Sequence, residues 1–361
     1  MASLISPSLF IDGMYAIFVI IDSIYLLTRA IRLKSLAIVM LVFAFITFLT
    51  TEIINGFVAP GNNLVRSLTS VLYPIFIIIY TKMFFYVGKK SKFKMVLVIV
   101  VTLRVIEFIE TNISGYAVPT YQSVPPDRYG LYYFHVIVVV AQLCVSFSWL
   151  SWASFKAYSQ SKQEKVELWV RKRYLLIGVS NALYVFGAFA FFIEPIDGLA
   201  YASPNGLASD IVIPTLVMGY FILSTLAFVV PSWFKHLLNS RQVLKKVGKD
   251  DELFQDISPA IVDQAMNSSQ VLHAIDYLGG KLAVMIDKKP DAAKGFIMMA
   301  IEKETGELGL SVLRLDNLLR VVNNSLKQMM IDFHIDGYDY IVTKLSDEIV
   351  KNQSLFLMIA L

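Results

Sequence analysis

Residues 130–173, GLYYFHVIVVVAQLCVSFSWLSWASFKAYSQSKQEKVELWVRKR, decide how this chain is read. From Gly130 to Ser154 there is no Lys, Arg, Asp or Glu. As a helix, that run crosses the ~30 Å hydrocarbon layer of a bilayer, which takes roughly 20 apolar residues. Lys156, Lys162, Lys165, Arg171, Lys172 and Arg173 then crowd the connection to the next apolar run. A long uncharged run closed by a basic connection is the signature of a span with a cytoplasmic end.

Outward from this stretch the pattern repeats. The sequence predicts spans at about 9–29, 35–57, 65–87, 94–113, 130–154, 174–194 and 210–234. A backbone inside lipid must satisfy its own hydrogen bonds, so each span is expected to be helical despite the Val, Ile and Phe content. Arg29, Arg32 and Lys34 join the first two spans, and Lys89, Lys90, Lys92 and Lys94 join the third and fourth. Lys235, Arg241, Lys245, Lys246 and Lys249 follow the seventh. The opposite connections and the N-terminal segment hold only Arg66 and Arg128. The positive-inside rule therefore predicts an outer N-terminus and a cytoplasmic C-terminus. The outer connections carry the turn residues Pro60-Gly61-Asn62-Asn63, Pro125-Pro126-Asp127 and the stretch from Pro195 to Gly206.

Composition agrees. The chain is 56% hydrophobic with a mean hydropathy of +0.62, too apolar for an ordinary soluble domain. Residues 241–361 carry 31 of the 60 charged residues and are net −3, so a second, polar part follows the apolar one. The overall +4 charge thus lies at the ends of apolar runs, which membrane orientation explains and nucleic-acid binding does not. The expected fold class is all-α: a polytopic seven-transmembrane helix bundle, N-out and C-in, followed by a small mainly helical cytoplasmic domain. The expected division is 1–236 for the bundle, 237–256 for an amphipathic basic linker and 257–361 for the helical domain.

Ionisable groups inside spans are costly and mark function by default. Asp12, Asp22, Glu52, Arg104, Glu107, Glu110, His135, Glu194 and Asp210 fall in or at the ends of the expected spans. By span direction all but Asp22 and Arg104 lie in the outer half. At 100° per residue Arg104, Glu107 and Glu110 share one face, and Arg104 and Glu107, three apart, can pair. One reading is an outward-opening acidic cavity built from Glu52, Arg104, Glu107, Glu110 and His135, suited to a small or cationic ligand. The other is a structural Arg104–Glu107 ion pair, with Asp12, Glu194 and Asp210 reaching interfacial water. Pro214 and Pro231 flank Gly219 in the seventh span and form a possible hinge.

Several chemistries are disfavoured. The lone cysteine, Cys144, permits no intrachain disulfide. Only His135 among four histidines is in a span, which argues against a haem or zinc site, and Lys235 is too far toward the cytoplasm for a retinal Schiff base. No nucleophile elbow or phosphate-binding loop occurs. No catalytic residue, metal or cofactor is expected.

In the polar part, Ser258-Pro259 opens a helix expected to reach Gly279-Gly280, and others are expected at about 290–304, 308–334 and 338–352. Val312, Leu315, Leu319, Val322, Leu326, Met329 and Phe333 are spaced alternately three and four apart. That stripe fits either a homodimer coiled coil or a helix facing the core of a small bundle. The apolar end, Leu355 to Leu361, is too short to span and must pack on this domain, on a partner or as an edge strand. Asp332 to Gly337 imitates a calcium loop but has His334 and Thr343 at ligand positions, and reads as a turn.

In layout, residues 1–240 resemble prokaryotic seven-transmembrane sensor proteins, including the sensor halves of some membrane histidine kinases, although no kinase core follows. That resemblance implies a receptor that passes an external or membrane-embedded signal to a cytoplasmic protein partner through residues 257–361. A transporter or ion/proton pathway using the same carboxylates is the alternative.

Overall fold

The computed structural model describes residues 7–53, 72–114, 126–163, 168–193, 204–229, 259–306 and 314–360. These residues are all-α, and no strand occurs among them. In chain order the helices are α1 (Pro7–Leu33), α2 (Leu36–Ile53), α3 (Leu72–Phe85), α4 (Phe93–Ser114), α5 (Tyr129–Gln163), α6 (Leu168–Phe189) and α7 (Pro204–Phe228). A 3₁₀ turn, Pro126–Arg128, leads into α5, and another, Ala190–Ile193, extends α6. Two stretches, Pro126–Lys162 and Leu168–Phe192, are long and apolar enough to cross a membrane. Shorter apolar helices lie at Leu36–Thr51, Leu72–Phe85 and Thr215–Phe228.

The first seven helices form a ring with one outlier. Each of α1, α2, α3, α5, α6 and α7 packs on the next, α7 returns to α1, and α4 lies outside against α3 and α5. Aromatic side chains fill the ring. Phe48, Tyr73, Phe147, Tyr184, Tyr220 and Phe221 touch one another with centroids 4.3–6.2 Å apart. Those spacings suit offset and edge contacts, which add to the burial of large rings.

Polarity in this ring is inverted relative to a water-soluble bundle. Asp22, Thr81, Gln142, Ser146, Ser180, Asn181 and Ser224 are buried. Ile17, Ile20, Ile24, Leu27 and Ile31 of α1 point outward, as do Val98, Val105, Ile109 and Ile113 of α4. Trp152 and Phe186 also face out, about two-thirds exposed. Apolar surface this continuous is rare on a water-soluble monomer.

The second part contains α8 (Pro259–Ile286), α9 (Pro290–Thr305), α10 (Leu315–Arg320, a π-helical segment Val321–Leu326, and Lys327–Asp332), α11 (Tyr338–Lys351) and α12 (Gln353–Ala360). Pro290 starts α9, and Gly306, at φ 69°, ends it by donating its N–H to the Glu302 carbonyl at 2.9 Å. Helix α8 differs from the sequence expectation: it runs through Gly279-Gly280 to Ile286. The reason is packing, since a Cβ on Gly279 would lie 2.6 Å from Lys294 Cγ and 2.9 Å from Lys294 Cα. Gly279 lets α9 approach and does not end the helix.

The heptad stripe faces the core. Val322, Leu326 and Met329 are buried, Leu315 and Leu319 pack on the same cluster, and Val312 lies outside the described residues. The π-helical turn shifts the register, and Phe333 emerges 61% exposed, edge-on to Phe296. Asp332 to Gly337 is a turn between helices. The expected linker at 237–256 lies outside the described residues.

The chain end resolves the choice left open for Leu355–Leu361. Helix α12 packs against α3, α6 and α8, with Leu355, Phe356, Leu357, Met358 and Ile359 all buried. It therefore joins the two parts.

Candidate functional site

Arg104, Glu107 and Glu110 lie on one face of α4, and that face meets α5. Arg104 Nη1 donates to Glu107 Oε2 at 2.6 Å, as their three-residue spacing allows. The same oxygen accepts Gln142 Nε2 at 2.7 Å, and Gln142 Nε2 also reaches the Leu103 carbonyl at 3.2 Å. One turn on, Glu110 Oε2 meets His135 Nδ1, and Thr111 Oγ1 lies 3.5 Å from that nitrogen. Arg104, Glu107, Glu110, His135 and Gln142 are each under a tenth exposed, so the five form a packed polar seam.

The seam's charge balance limits what it can do. One arginine faces two carboxylates and a histidine, with Glu107 set against Arg104 and Glu110 against His135. Two acceptors remain without hydrogen-bond partners, Glu110 Oε1 and Gln142 Oε1. Among the described residues no cluster of three or more His, Cys, Asp or Glu has the arrangement of a metal site.

Other residues singled out from the sequence fall elsewhere. The side chains of Glu52, Asp12 and Asp210 lie outside the described residues, although their backbones belong to α2, α1 and α7. Glu194 and Pro231 also lie outside the described residues. Helix α7 continues through Pro214 and Gly219. A Cβ at Gly219 would make ordinary contact with Leu183 Cδ1 at 3.5 Å, so packing there does not require glycine. Asp22 is fully buried on α1 and accepts Thr225 Oγ1 at 2.9 Å, remote in sequence from the seam.

Sequence reasoning missed Gln142 and Arg173. Gln142 is uncharged, but it follows His135 by seven residues and precedes Ser146 by four, a polar stripe along one face of an apolar helix. In the sequence Arg173 reads as part of the basic connection. It is instead completely buried near the start of α6. Its Nε donates to the Ala227 carbonyl at 2.6 Å, its Nη2 to Phe228 at 3.2 Å, and its Nη1 to Met358. A fork of five donors can serve several carbonyls at once, and here it closes the unsatisfied ends of α7 and α12 together. No family model, curated protein or solved structure matches this chain.

Proposed function

We propose that this chain is a seven-span membrane sensor, N-terminus outside and C-terminus in the cytoplasm, in which the α4–α5 seam responds to an external or membrane-embedded signal. The helical domain at 257–361 carries the response to a cytoplasmic protein partner. The inverted polarity of the first seven helices supports the bilayer setting, because apolar stripes such as Ile17–Ile31 gain nothing by facing water. The alternation of basic connections supports the orientation.

The observation that carries the sensor reading is the Arg173 joint. A single buried guanidinium binds α6, the end of α7 and the end of α12. A shift of α6 or α7 is therefore passed directly to the domain containing α12. The seam connects to that joint through α5, which packs on α4 on one side and α6 on the other. A signal acts on such a device only by binding or protonating one arrangement better than the other. The ring centre, closed by aromatic contacts, argues for a signalling bundle over an open pathway.

The test uses the full chain in lipid nanodiscs, with Cys144→Ser, Lys90→Cys and Lys344→Cys carrying spin labels on the bundle and the domain. Glu107→Gln with Glu110→Gln is expected to shift or broaden the distance distribution between them. An unchanged distribution sinks the sensor reading, and substrate flux in liposomes together with that result assigns the chain to transport. Tags at residues 1 and 361 must also prove accessible from opposite faces.

A further inference from the structure

The α4–α5 seam divides into two contacts of different charge chemistry. In one, Arg104 faces Glu107, and a guanidinium keeps its charge throughout the physiological range. In the other, Glu110 Oε2 meets His135 Nδ1, and among the described residues no lysine or arginine pairs with Glu110. Both side chains are under a tenth exposed, and Glu110 Oε1 has no hydrogen-bond partner. The net charge of this contact therefore follows its histidine, the residue type that changes charge between about pH 5 and 8.

The pair lies near two helix ends. Glu110 is four residues from the end of α4 and His135 six residues from the start of α5. At 1.5 Å per residue those are about 6 and 9 Å, close enough for water to exchange protons with the pair. The other charged groups nearest on α4 are Arg104 and Glu107, already paired. Tyr132 and Tyr133 precede the histidine on α5, and the turn before them holds Asp127 and Arg128, both exposed. From α6, Tyr184 faces Arg104. On α3, Tyr73 bonds Tyr220, Tyr80 packs on Phe84, and Lys82 bonds the carbonyls of Tyr86 and Lys89. None of these supplies Glu110 with a fixed cation.

A carboxylate oxygen and a bare ring nitrogen repel at contact distance, so one hydrogen lies between them and His135 Nδ1 donates to Glu110 Oε2. With that hydrogen alone the contact carries one negative charge. A second proton, on Nε2, makes the ring an imidazolium and the contact a neutral, charge-assisted pair. Burying a net charge is costly, so the doubly protonated contact holds the two helices more tightly. Helix α4 lies outside the ring against α3 and α5, so this contact is part of what seats it.

We propose that Glu110 and His135 form a proton-operated catch between α4 and α5, closed by acid. The signal is then the proton concentration at the end where α4 finishes and α5 begins. This inference rests on the sensor reading and names its signal. The stabilisation from the histidine charge is present at low pH and lost as pH rises.

The experiment takes the full chain in nanodiscs, with spin labels at Lys90→Cys and Lys344→Cys in the Cys144→Ser background, from about pH 8 to about pH 5. The distance distribution is expected to shift once, its population ratio changing by up to about tenfold per pH unit, the limit for one linked proton. His135→Gln can still donate an N–H to Glu110 but does not titrate, and is expected to remove the response. His273→Gln, on α8, is expected to keep it. A response that persists in His135→Gln overturns the proposal, because another group then takes the proton. A wild-type chain that ignores pH overturns it as well. If Glu107→Gln with Glu110→Gln still shifts the distribution in that case, the sensor reading stands with a different signal; if it does not, both fall.

Discussion

Replacing Arg173 with methionine keeps the length of the side chain and removes every donor. The structure allows the cost to be divided. Three carbonyls, Ala227, Phe228 and Met358, lose a charge-assisted partner inside a buried joint. Each such bond is worth about 1.5–3 kcal/mol. The guanidinium's own desolvation offsets part of that sum, so the net global loss should be about 3–5 kcal/mol, from three buried carbonyls left without a donor. The local consequence is sharper. Only the Met358 bond holds α12 to α6 through this side chain, and its loss alone should raise the opening equilibrium of α12 roughly 10- to 100-fold. Hydrogen–deuterium exchange of the full chain in nanodiscs reads this directly in peptides covering 353–360. Arg171→Met, two residues away and only partly buried, is the control and should leave those peptides unchanged. If Arg173→Met leaves exchange in 353–360 at the native rate in a folded protein, α12 is held by its apolar contacts alone. Bundle and domain would then lack this mechanical link.

Three further outcomes are expected. Arg104→Met should cost about 3–5 kcal/mol by leaving Glu107 buried without its cation, while Arg104→Met combined with Glu107→Leu should recover most of it; denaturant titration in detergent checks whether the double variant returns toward the wild-type midpoint. Gly279→Ala should destabilise the helical domain by about 1–3 kcal/mol, because the new methyl meets the α9 backbone at Lys294, whereas Gly280→Ala meets nothing within 4 Å and should not; paired thermal melts separate the two. Hydrogen bonding to Asp276 raises the Lys294 ammonium above the usual lysine value. Stability from that pair is therefore complete below about pH 10.4 and falls as pH rises through the raised value; an alkaline titration of Asp276→Asn should lack that loss.

Much of the architecture was legible before any coordinates. The expected helices at 290–304 and 338–352 match α9 and α11 to within a residue, and the apolar three/four spacing marks the buried face of α10, whose expected start at 308 lies outside the described residues. The Arg104–Glu107 pair followed from spacing on one helix, a purely local geometry. The dispute between a dimer seam and a core face could not be settled that way, since both bury the same stripe. Only the packing of Val322, Leu326 and Met329 into a core shared with α9 and α11 decides it.

Long-range partners were the part that sequence left open. Arg173 read as one more basic residue in a polar connection, and nothing in residues 168–175 announces that its partners are Ala227, Phe228 and Met358. Gln142 carried no charge to draw notice, yet it bonds the carboxylate of Glu107. Charge placement and apolar run length act along the chain, and so the sequence alone determined the all-helical class and the division into an apolar and a more charged part. Which polar groups meet across helices depends on how those helices pack around a filled aromatic ring, and only the tertiary structure decided that.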